Sequence, residues 1–471
     1  MSANMEQEAR ENARWRLKIN GSGTPFHQHL LHNEFLSVEA QQQARQAALR
    51  RILQHCYDVV PYYRELFSNQ GIRRRHLREP GILAKVPPLS RADITAHAAR
   101  LRATELFSGH APAGETRTSG TTGEPVSMLH SDYSLSLFTW LKQRELRWFR
   151  FDPMASMMSI RPVIELPSRP DGKLLREGEC LRVQGWPYVQ RVFETGESWS
   201  FNNTNTIADQ VARFNQVKPS YLVMQSSCLE FLSLQSLDDE ALSGLAGAMA
   251  ISNTLTPAMR SQVEAALQCP VYQNYGLNEV GLVASQCPVS GNYHVHAEHA
   301  IVEVVREDGS PCDQGERGRL LVTSLSNSAM PLIRYDADDF AEAVYEPCAC
   351  GRSLPSLGQI VGRYRRTAYL PEGTLQRWGA IQFEIYHYGQ QAGLSLNRYQ
   401  ATQDREGNFM LRLDCEPEVF HKIRPRIHRK FEQAYPGPPL PKLFVMRTSQ
   451  FVEAGHKFQN FISDCTPRMD Q

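Results

Sequence analysis

Apolar residues near the start of the chain recur at helical spacing and stop at a proline. In residues 38–67 one face repeats an apolar residue every three to four positions: Ala48, Ile52, Cys56 and Val59. Pro61 interrupts the pattern, so the segment predicts an amphipathic helix, a break and a second short helix. Two more helices are predicted after N-cap residues, one after Ser90 and one after Ser131 or Asp132.

Helix-like and strand-like segments alternate through the middle of the chain. The segment IADQVARFNQVKPSYLVMQSS predicts a helix, a break at Pro219 and a short apolar strand. A strand, a helix and a strand follow in LAGAMAISNTL, PAMRSQVEAALQ and CPVYQNYG. This order predicts a parallel α/β sheet.

The pattern changes twice after His294. HAIVEVV, GRLLVTSL and FAEAVYE alternate and are rich in β-branched residues, which predicts an antiparallel or barrel-like subdomain. From about Tyr364 the units are shorter, with a helix near residues 420–435 between the strand-like MLRLDCE and PKLFVMRT. The predicted fold class is α/β: a large multi-subdomain N-terminal domain with parallel-type sheets, residues 1–362, and a small mobile α+β C-terminal domain, residues 363–471.

Composition and charge fit a soluble enzyme. The chain has 471 residues, 41% of them hydrophobic and 21% charged, which is typical of a globular protein of two or three domains. Lys and Arg number 51 against 50 Asp and Glu, so no net charge would steer the protein to nucleic acid or an anionic membrane. The N-terminal residues form no signal peptide and no segment has the length of an apolar membrane span, so we expect a cytoplasmic protein without nucleic-acid or membrane partners.

A loop rich in glycine and hydroxyl side chains, TSGTTGEP at residues 118–125, is the first candidate for chemistry. Glycine amides can converge on phosphate oxygens because no Cβ blocks the approach, and hydroxyls add donors. A P-loop would require a lysine after the last glycine, where this chain has Glu124 and Pro125. The loop therefore predicts a phosphate site outside the P-loop fold; the alternative is an ordinary polar turn.

Several motifs in a fixed order resemble the adenylate-forming superfamily of acyl-CoA synthetases, luciferases and adenylation domains. They are TSGTTGEP, YGLNE at residues 275–279 and SLSNSAMPLIRYDADDF at residues 324–340. Within the superfamily the chain most resembles the branch of phenylacetate-CoA ligases and CapK-like proteins, in VPYYRELFSNQGI, AMPLIRY, CACGR and IVGR. The resemblance covers residues from about 45 to 366, and a Gly-His-Lys near the end extends it.

The resemblance implies a reaction in two steps. ATP and a carboxylic acid form an acyl-adenylate and pyrophosphate, and the acyl group then passes to a thiol, in the first place that of coenzyme A. The phosphate loop would hold the β- and γ-phosphates with Thr118, Ser119, Gly120, Thr121, Thr122 and Gly123. Glu279 would ligate Mg²⁺, and Tyr275, in a motif that also contains Gly276 and Asn278, would stack on adenine.

Three further residues are assigned by the same resemblance. Asp339 would accept both ribose hydroxyls, with Asp338 as the alternative. Arg363 would lie at the hinge and contact the ribose or a phosphate. Lys457 would bridge the nucleotide and the carboxylate in the first step; the alternative is that Lys457 is an ordinary exposed lysine. For Tyr275 the alternative is a core aromatic residue without a role in binding.

The chain departs from the family pattern at two of these places. Asn278 replaces a threonine or serine, and its amide can still donate to the α-phosphate. Arg365 and Arg366 stand where the hinge has acidic residues, which bears on the domain rotation that precedes thioester formation.

The acyl pocket is predicted between a helix, a strand end and a loop. These contribute, in turn, Phe138 and Trp140, then Gln225 and Ser226, then Ser252, Asn253 and Thr254. The resemblance implies an aromatic acid; an aliphatic acid and an amino acid are the alternatives.

Histidines and cysteines suggest two metal sites. HVHAEH, residues 294–299, has the spacing of a binuclear zinc hydrolase motif, but the strand-like AIVEVV that follows argues against that fold. A structural tetrahedral zinc site would combine three thiolates with one imidazole, from Cys287, His294, Cys348 and Cys350. The alternative is a set of unrelated buried residues.

The expected cofactors and co-substrates are therefore ATP, Mg²⁺ and coenzyme A, with structural Zn²⁺ as a candidate. The partner is a small-molecule carboxylic acid. The alternative acceptors are an amine, a hydroxyl or the thiol of a carrier protein, and a degenerate nucleotide-binding protein without catalysis is the rival from another class. A homodimer is left open by the sequence.

Overall fold

The structure is a computed structural model. It describes residues 3–18, 23–117, 127–161, 165–176, 178–203, 205–252, 255, 257–361, 398–404, 406, 408–434, 442–450 and 461–463. The contacts divide the described residues into a larger unit, 3–117 and 127–361, and a smaller unit, 398–463, and each is described by itself. Among these residues no helix combines the length and apolar character needed to cross a membrane.

Helices form the first part of the larger unit. Ser37 caps the third helix by accepting a hydrogen bond from the backbone of Ala40, and Pro61 starts the fourth, as the break in the sequence pattern predicts. Ser90 and Asp93 form a capping box at the fifth. The helices are α1 (Ala3–Ala13), α2 (Gly23–Asn33), α3 (Val38–Val59), α4 (Pro61–Asn69) and α5 (Arg91–Leu101), with short 3₁₀ helices at Arg74–Arg78 and Ile82–Lys85 before the last.

An α/β region follows, as the alternating segments predict. After the hairpin of β1 (Pro112–Arg117) and β2 (Ser127–Ser131), Ser131 caps the next helix. The helices are α6 (Asp132–Trp148), α7 (Ile207–Val217), α8 (Ser226–Ser233), α9 (Asp239–Ser243) and α10 (Pro257–Leu267). The strands are β3 (Met157–Arg161), β4 (Cys180–Gln184), β5 (Glu197–Asn202), β6 (Tyr221–Gln225), β7 (Gly247–Ile251) and β8 (Val271–Leu277).

The predicted parallel sheet is confirmed. β5, β3, β6, β7 and β8 lie side by side in parallel, and β4 adds an antiparallel edge. Apolar side chains cover both faces of these strands in two separate core clusters, as a parallel sheet requires.

The predicted antiparallel region is also present and continues the same sheet. Its strands are β9 (Gly281–Gln286), β10 (Tyr293–Val295), β11 (Ala300–Val305), β12 (Arg317–Ser324), β13 (Tyr335–Val344) and β14 (Ser356–Val361). β8 joins the two regions, because its first half pairs in parallel with β7 and its second half pairs antiparallel with β9. The strand order across the 12-stranded sheet is β11-β12-β13-β14-β10-β9-β8-β7-β6-β3-β5-β4.

The smaller unit has the predicted α+β character. Its elements are β15 (Arg398–Gln403), β16 (Phe409–Asp414), α11 (Pro417–Ala434), β17 (Leu443–Arg447) and β18 (Phe461–Ser463). The strands form a four-stranded sheet in the order β17-β16-β15-β18. Buried residues of the helix recur at every fourth position, and Phe431 packs edge-on against Phe409 with ring centroids 5.4 Å apart.

Candidate active site

Two motif residues that the sequence assigns to the nucleotide meet in the larger unit. Tyr275 on β8 donates a hydrogen bond of 2.7 Å to Oδ2 of Asp339 on β13, and both side chains are buried. Burial, and then the charge and hydrogen bond of Asp339, raise the pKa of Tyr275 well above its ordinary value, so the hydroxyl stays a donor. The side chain of Asp338, the alternative, lies outside the described residues.

The turn between β8 and β9 carries the rest of this motif. The ladder shifts register between Tyr275 and Gly276, and a Cβ on Gly276 would lie 3.2 Å from the carbonyl oxygen of Gly281. A residue without a side chain therefore suits this close approach. Asn278 is exposed at the turn, whereas Glu279 is buried.

Glu279 is held by two side chains that sequence reasoning did not assign. Arg91, the first residue of α5, lies 2.6 Å from Glu279 Oε1, and the Tyr335 hydroxyl donates to the same oxygen at 3.0 Å. Only 2% of the Glu279 side chain is exposed. A buried carboxylate is a ligand that Mg²⁺ accepts, but a guanidinium already contacts one of its oxygens, so Mg²⁺ and Arg91 would compete for it.

Several predicted nucleotide and substrate residues lie outside the described residues. They are Thr118, Ser119, Gly120, Thr121, Thr122, Gly123, Asn253, Thr254, Arg363 and Lys457. Their assignments stay predictions.

The predicted acyl-pocket residues lie at the carboxyl ends of the parallel strands or on α6. Gln225 ends β6, Ser226 begins α8, and Ser252 follows β7 with a positive φ of 70°. Ligands of parallel α/β sheets bind at this edge, and a non-glycine residue with positive φ is uncommon outside special turns.

Phe138 and Trp140 lie on different faces of α6, because two residues rotate an α-helix by about 200°. Trp140 is buried in a core cluster, with ring centroids 5.3 Å from Phe193 and 5.5 Å from His27. Phe138 is half-buried and meets the exposed Tyr188 edge-on at 5.5 Å. Phe138 is therefore the better placed of the two to contact a ligand.

The four predicted zinc ligands come together. The ligand atoms of Cys287, His294, Cys348 and Cys350 lie within 4.8 Å of one another. Nε2 of His294 is 3.2 Å from Sγ of Cys350, and the sulfurs of Cys287 and Cys348 are 3.8 Å apart. Three cysteines and one histidine form the donor set of a structural zinc site, so these residues fit the ion.

The surroundings of this cluster also suit a metal. Nδ1 of His294 lies 3.3 Å from the carbonyl oxygen of Leu354, an acceptor that favours a proton on Nδ1 and a free lone pair on Nε2. Hydrogen bonds from Cys350 and, against the effect of burial, from His294 lower the pKa of Cys287 well below its usual value. The turn with Cys348 and Cys350 ends at Gly351, whose φ is 78°.

A buried ion network lies beside the cluster and was not foreseen from the sequence. Glu34, fully buried after α2, is contacted by Arg147, Arg352 and the Trp148 indole N–H. Arg352 follows the cysteine turn and stacks over Trp148, 4.6 Å from the ring centroid. The network therefore ties the N-terminal helices to α6 and to the turn that carries two of the cysteines.

A second ion pair extends the network. Arg144 donates two hydrogen bonds to Glu298, of 3.0 and 2.7 Å, and Asn33 donates to the same carboxylate. These hydrogen bonds engage Glu298, the acidic residue of the HVHAEH segment. His296 faces Ser285 and Arg144 instead of the zinc cluster, so the histidines of that segment do not form the hydrolase site that the sequence analysis also disfavoured.

Comparisons with known proteins agree with the predicted resemblance. No protein-family model matches the chain. It is 27% identical over 338 residues to a phenylacetate-coenzyme A ligase of Thermus thermophilus, covering 70% of this chain and 72% of that protein. It is 26% identical over 343 residues to the phenylacetate-coenzyme A ligase of Escherichia coli K12, with the same two coverages of 70% and 72%.

Solved structures show the same fold. A 2-hydroxyisobutyryl-CoA ligase in the postadenylation state matches with a TM-score of 0.65 at 16% identity, over 92% of this chain and 91% of that chain. The acyl acid amido synthetase AtGH3.15 matches with a TM-score of 0.55 at 12% identity, over 95% of each chain. The predicted fold class and the predicted resemblance to phenylacetate-CoA ligases are confirmed.

Proposed function

We propose that this protein is an AMP-forming acid–thiol ligase. It activates a carboxylic acid with ATP, releases pyrophosphate and transfers the acyl group of the resulting adenylate to coenzyme A. The observation that carries the proposal is the buried pair of Tyr275 and Asp339, 2.7 Å apart, on a chain similar in sequence to phenylacetate-CoA ligases. The domain boundary at residue 362 belongs to the same proposal.

The buried carboxylate of Asp339 binds the ribose hydroxyls. Its Oδ2 accepts from Tyr275, which fixes the orientation of the carboxylate. Gly276 lets the strand approach its neighbour closely beside the adenine, and Asn278 donates to the α-phosphate from the turn. Thr118–Gly123 bind the leaving pyrophosphate, Arg363 contacts the ribose or a phosphate, and Lys457 brings the two anionic reactants together.

Glu279 is the proposed ligand of Mg²⁺, which screens the negative charge of the triphosphate when it is bound. Without the ion, Arg91 neutralises the buried carboxylate. This exchange would keep a cation beside the Glu279 carboxylate whether or not nucleotide is present.

The acid is proposed to be aromatic. Similarity to phenylacetate-CoA ligases supports this, and so does the edge-on pair of Phe138 and Tyr188 near the strand ends. Aromatic rings prefer such partners.

Zinc is proposed as a structural ion held by Cys287, His294, Cys348 and Cys350. All four positions of a tetrahedral site would be filled by protein, so the ion would order the cysteine turn and take no part in the reaction.

Transfer to an amine, a hydroxyl or a carrier-protein thiol is the second candidate. The fold also matches that of an acyl acid amido synthetase, so the fold alone does not choose the acceptor. A homodimer remains compatible with either activity.

Pyrophosphate release from ATP, measured across a panel of carboxylic acids with and without coenzyme A, tests the proposal. We expect acid-dependent release and formation of the acyl-CoA. Release without acyl-CoA would favour another acceptor, and no release with any acid would favour a non-catalytic nucleotide-binding protein. A Lys457→Ala variant should lose adenylation, whereas Lys442→Ala, on the exposed surface of the smaller unit, should not.

A further inference from the structure

A row of polar side chains crosses the carboxyl edge of the parallel sheet. The strand register pairs Arg161 on β3 with Asn202 on β5, and Gln225 on β6 with Ile251 on β7. Ile160 pairs with Met224, so Arg161 and Gln225 follow at the same level of adjacent strands. Interior parallel strands are usually apolar throughout, which makes this row an exception that calls for a function.

The row lies on the face of the sheet whose core cluster includes residues of α6. Side chains alternate along a strand, so Arg161 lies on the same face as Met157, and Gln225 on the same face as Val223. Met157 and Val223 belong to the core cluster that contains Trp140 of α6. The polar row therefore lies on the same face of the sheet as Trp140, beside the predicted acyl pocket.

Arg161 connects this row to the aromatic pair. Its Nη1 donates to the Tyr188 hydroxyl at 2.6 Å, and its Nη2 donates to Glu165 at 2.9 Å. Tyr188 in turn packs on Phe138. Since Glu165 balances the charge of Arg161, the site suits a neutral polar group better than an anion.

Gln225 supplies an unused donor. Its side chain is 6% exposed, its Oε1 accepts from Asn203 at 3.0 Å, and its Nε2 is buried without a partner among the described residues. A buried donor without a partner destabilises the folded protein. A ligand oxygen that accepts from Nε2 would remove this cost.

The aromatic pair also links the row to the nucleotide motif. A Cβ on Gly281, which ends the β8–β9 turn, would lie 3.8 Å from Cδ2 of Phe138. Phe138 therefore lies between the β8–β9 turn on one side and Tyr188, the partner of Arg161, on the other.

We propose that the acid activated by this protein is an aromatic acid with a neutral oxygen substituent, such as a ring hydroxyl, at the end away from its carboxylate. Gln225 Nε2 donates to that oxygen, and Arg161 and Asn202 complete the polar wall. This inference rests on the proposed function and narrows its substrate class.

The test compares acids of similar size that differ in the oxygen. For wild-type protein, kcat/KM from pyrophosphate release is measured with phenylacetate, 3- and 4-hydroxyphenylacetate and 4-methylphenylacetate. We expect one hydroxy acid to exceed the methyl acid by about tenfold or more, because a pocket donor is left unpaired by a methyl group. In Gln225→Met the preference should fall to within about twofold, while Gln216→Met, on the exposed side of α7, should keep it.

Equal rates with the hydroxy and methyl acids would overturn the inference and leave the proposed function standing. If no acid releases pyrophosphate, the proposed function fails, and calorimetric binding of the same acids to wild-type protein then decides the inference by the same comparison. The wild-type preference is a sufficient test even if Gln225→Met does not fold.

Discussion

The hydroxyl of Tyr275 donates to Asp339 across 64 positions of sequence and 2.7 Å of space. Tyr275 lies on β8, which pairs in parallel with β7 and antiparallel with β9, whereas Asp339 lies on β13 in the antiparallel part of the sheet. Packing therefore fixes the carboxylate before any nucleotide binds, which reduces the ordering cost of binding.

Asp339→Ala should lower kcat/KM for ATP by roughly 100-fold or more, since two hydrogen bonds to a charged group are lost. Tyr275→Phe should raise KM for ATP by a smaller factor, roughly 3- to 10-fold, because the carboxylate remains but is less well oriented. Initial rates of pyrophosphate release measure both. Asp336→Ala on the same strand, which breaks a partly exposed contact with Arg319, is the control; equal losses in the two alanine variants would argue against a ribose contact at Asp339.

Arg91→Met should lower the melting temperature in the absence of Mg²⁺, because it leaves the buried Glu279 carboxylate without its cation, at a cost of about 3–5 kcal/mol. Mg²⁺ with ATP should then raise the melting temperature of the variant more than that of the wild type, since the guanidinium no longer competes for Oε1. Arg100→Met on the same helix breaks an exposed pair with Glu65 and should change stability by less than about 1 kcal/mol. An Arg91→Met protein that does not respond to Mg²⁺ and ATP would remove Glu279 from the metal site.

Local sequence patterns predicted what local physics determines. Pro61 marks the break between two helices, and Ser90 and Ser131 cap the helices that follow them. The alternation of strands and helices was enough for the parallel sheet. Spacing placed Cys348 and Cys350 together, whereas their grouping with Cys287 and His294 rested on the donor chemistry of a zinc site.

Long-range pairing had no such signal. Arg91 and Glu279 are 188 positions apart, and Glu34 and Arg352 are 318 positions apart. The sequence around either residue does not identify its partner, because most charged side chains in proteins lie on the surface and are solvated. The two aromatic residues of α6 are a different case, because the helical period alone predicts that Phe138 and Trp140 lie on different faces of the helix.

Protein purified without chelator should contain one zinc ion per chain by elemental analysis. Cys350→Ala should abolish it and lower the melting temperature by at least about 5 °C, since bound metal contributes to folding and each kcal/mol shifts a domain of this class by a few degrees. Cys312→Ala replaces a buried cysteine outside the cluster and should keep the zinc. No stoichiometric zinc in the wild type would leave the four residues as a buried thiol cluster.

The Glu298–Arg144 pair should make stability fall steeply in acid. Burial raises the pKa of Glu298, but the charge and hydrogen bonds of Arg144 outweigh it and lower the pKa from 4.5 to about 2. Burial also raises the pKa of Glu34, but the charges of Arg147, Arg144 and Arg352 outweigh it and lower this pKa as well. Because the folded-state pKa is depressed, the contribution of Glu298 is fully present above pH 4.5 and is lost as pH falls from about 4.5 towards 2.

Urea unfolding from pH 7 down to about pH 3 measures this dependence. Glu298→Gln should be less stable than wild type at pH 7, because Arg144 loses one of its two charged partners in the interior and keeps only Glu34. The stability of the variant should also decline less between pH 4.5 and 3. Glu194→Gln, at an exposed position, should follow the wild-type curve. If the free energy of unfolding of Glu298→Gln changes with pH in parallel with that of wild type, the Glu298–Arg144 pair is not the source of the acid sensitivity. The ion pairs of Glu34 with its three arginines would then be its source.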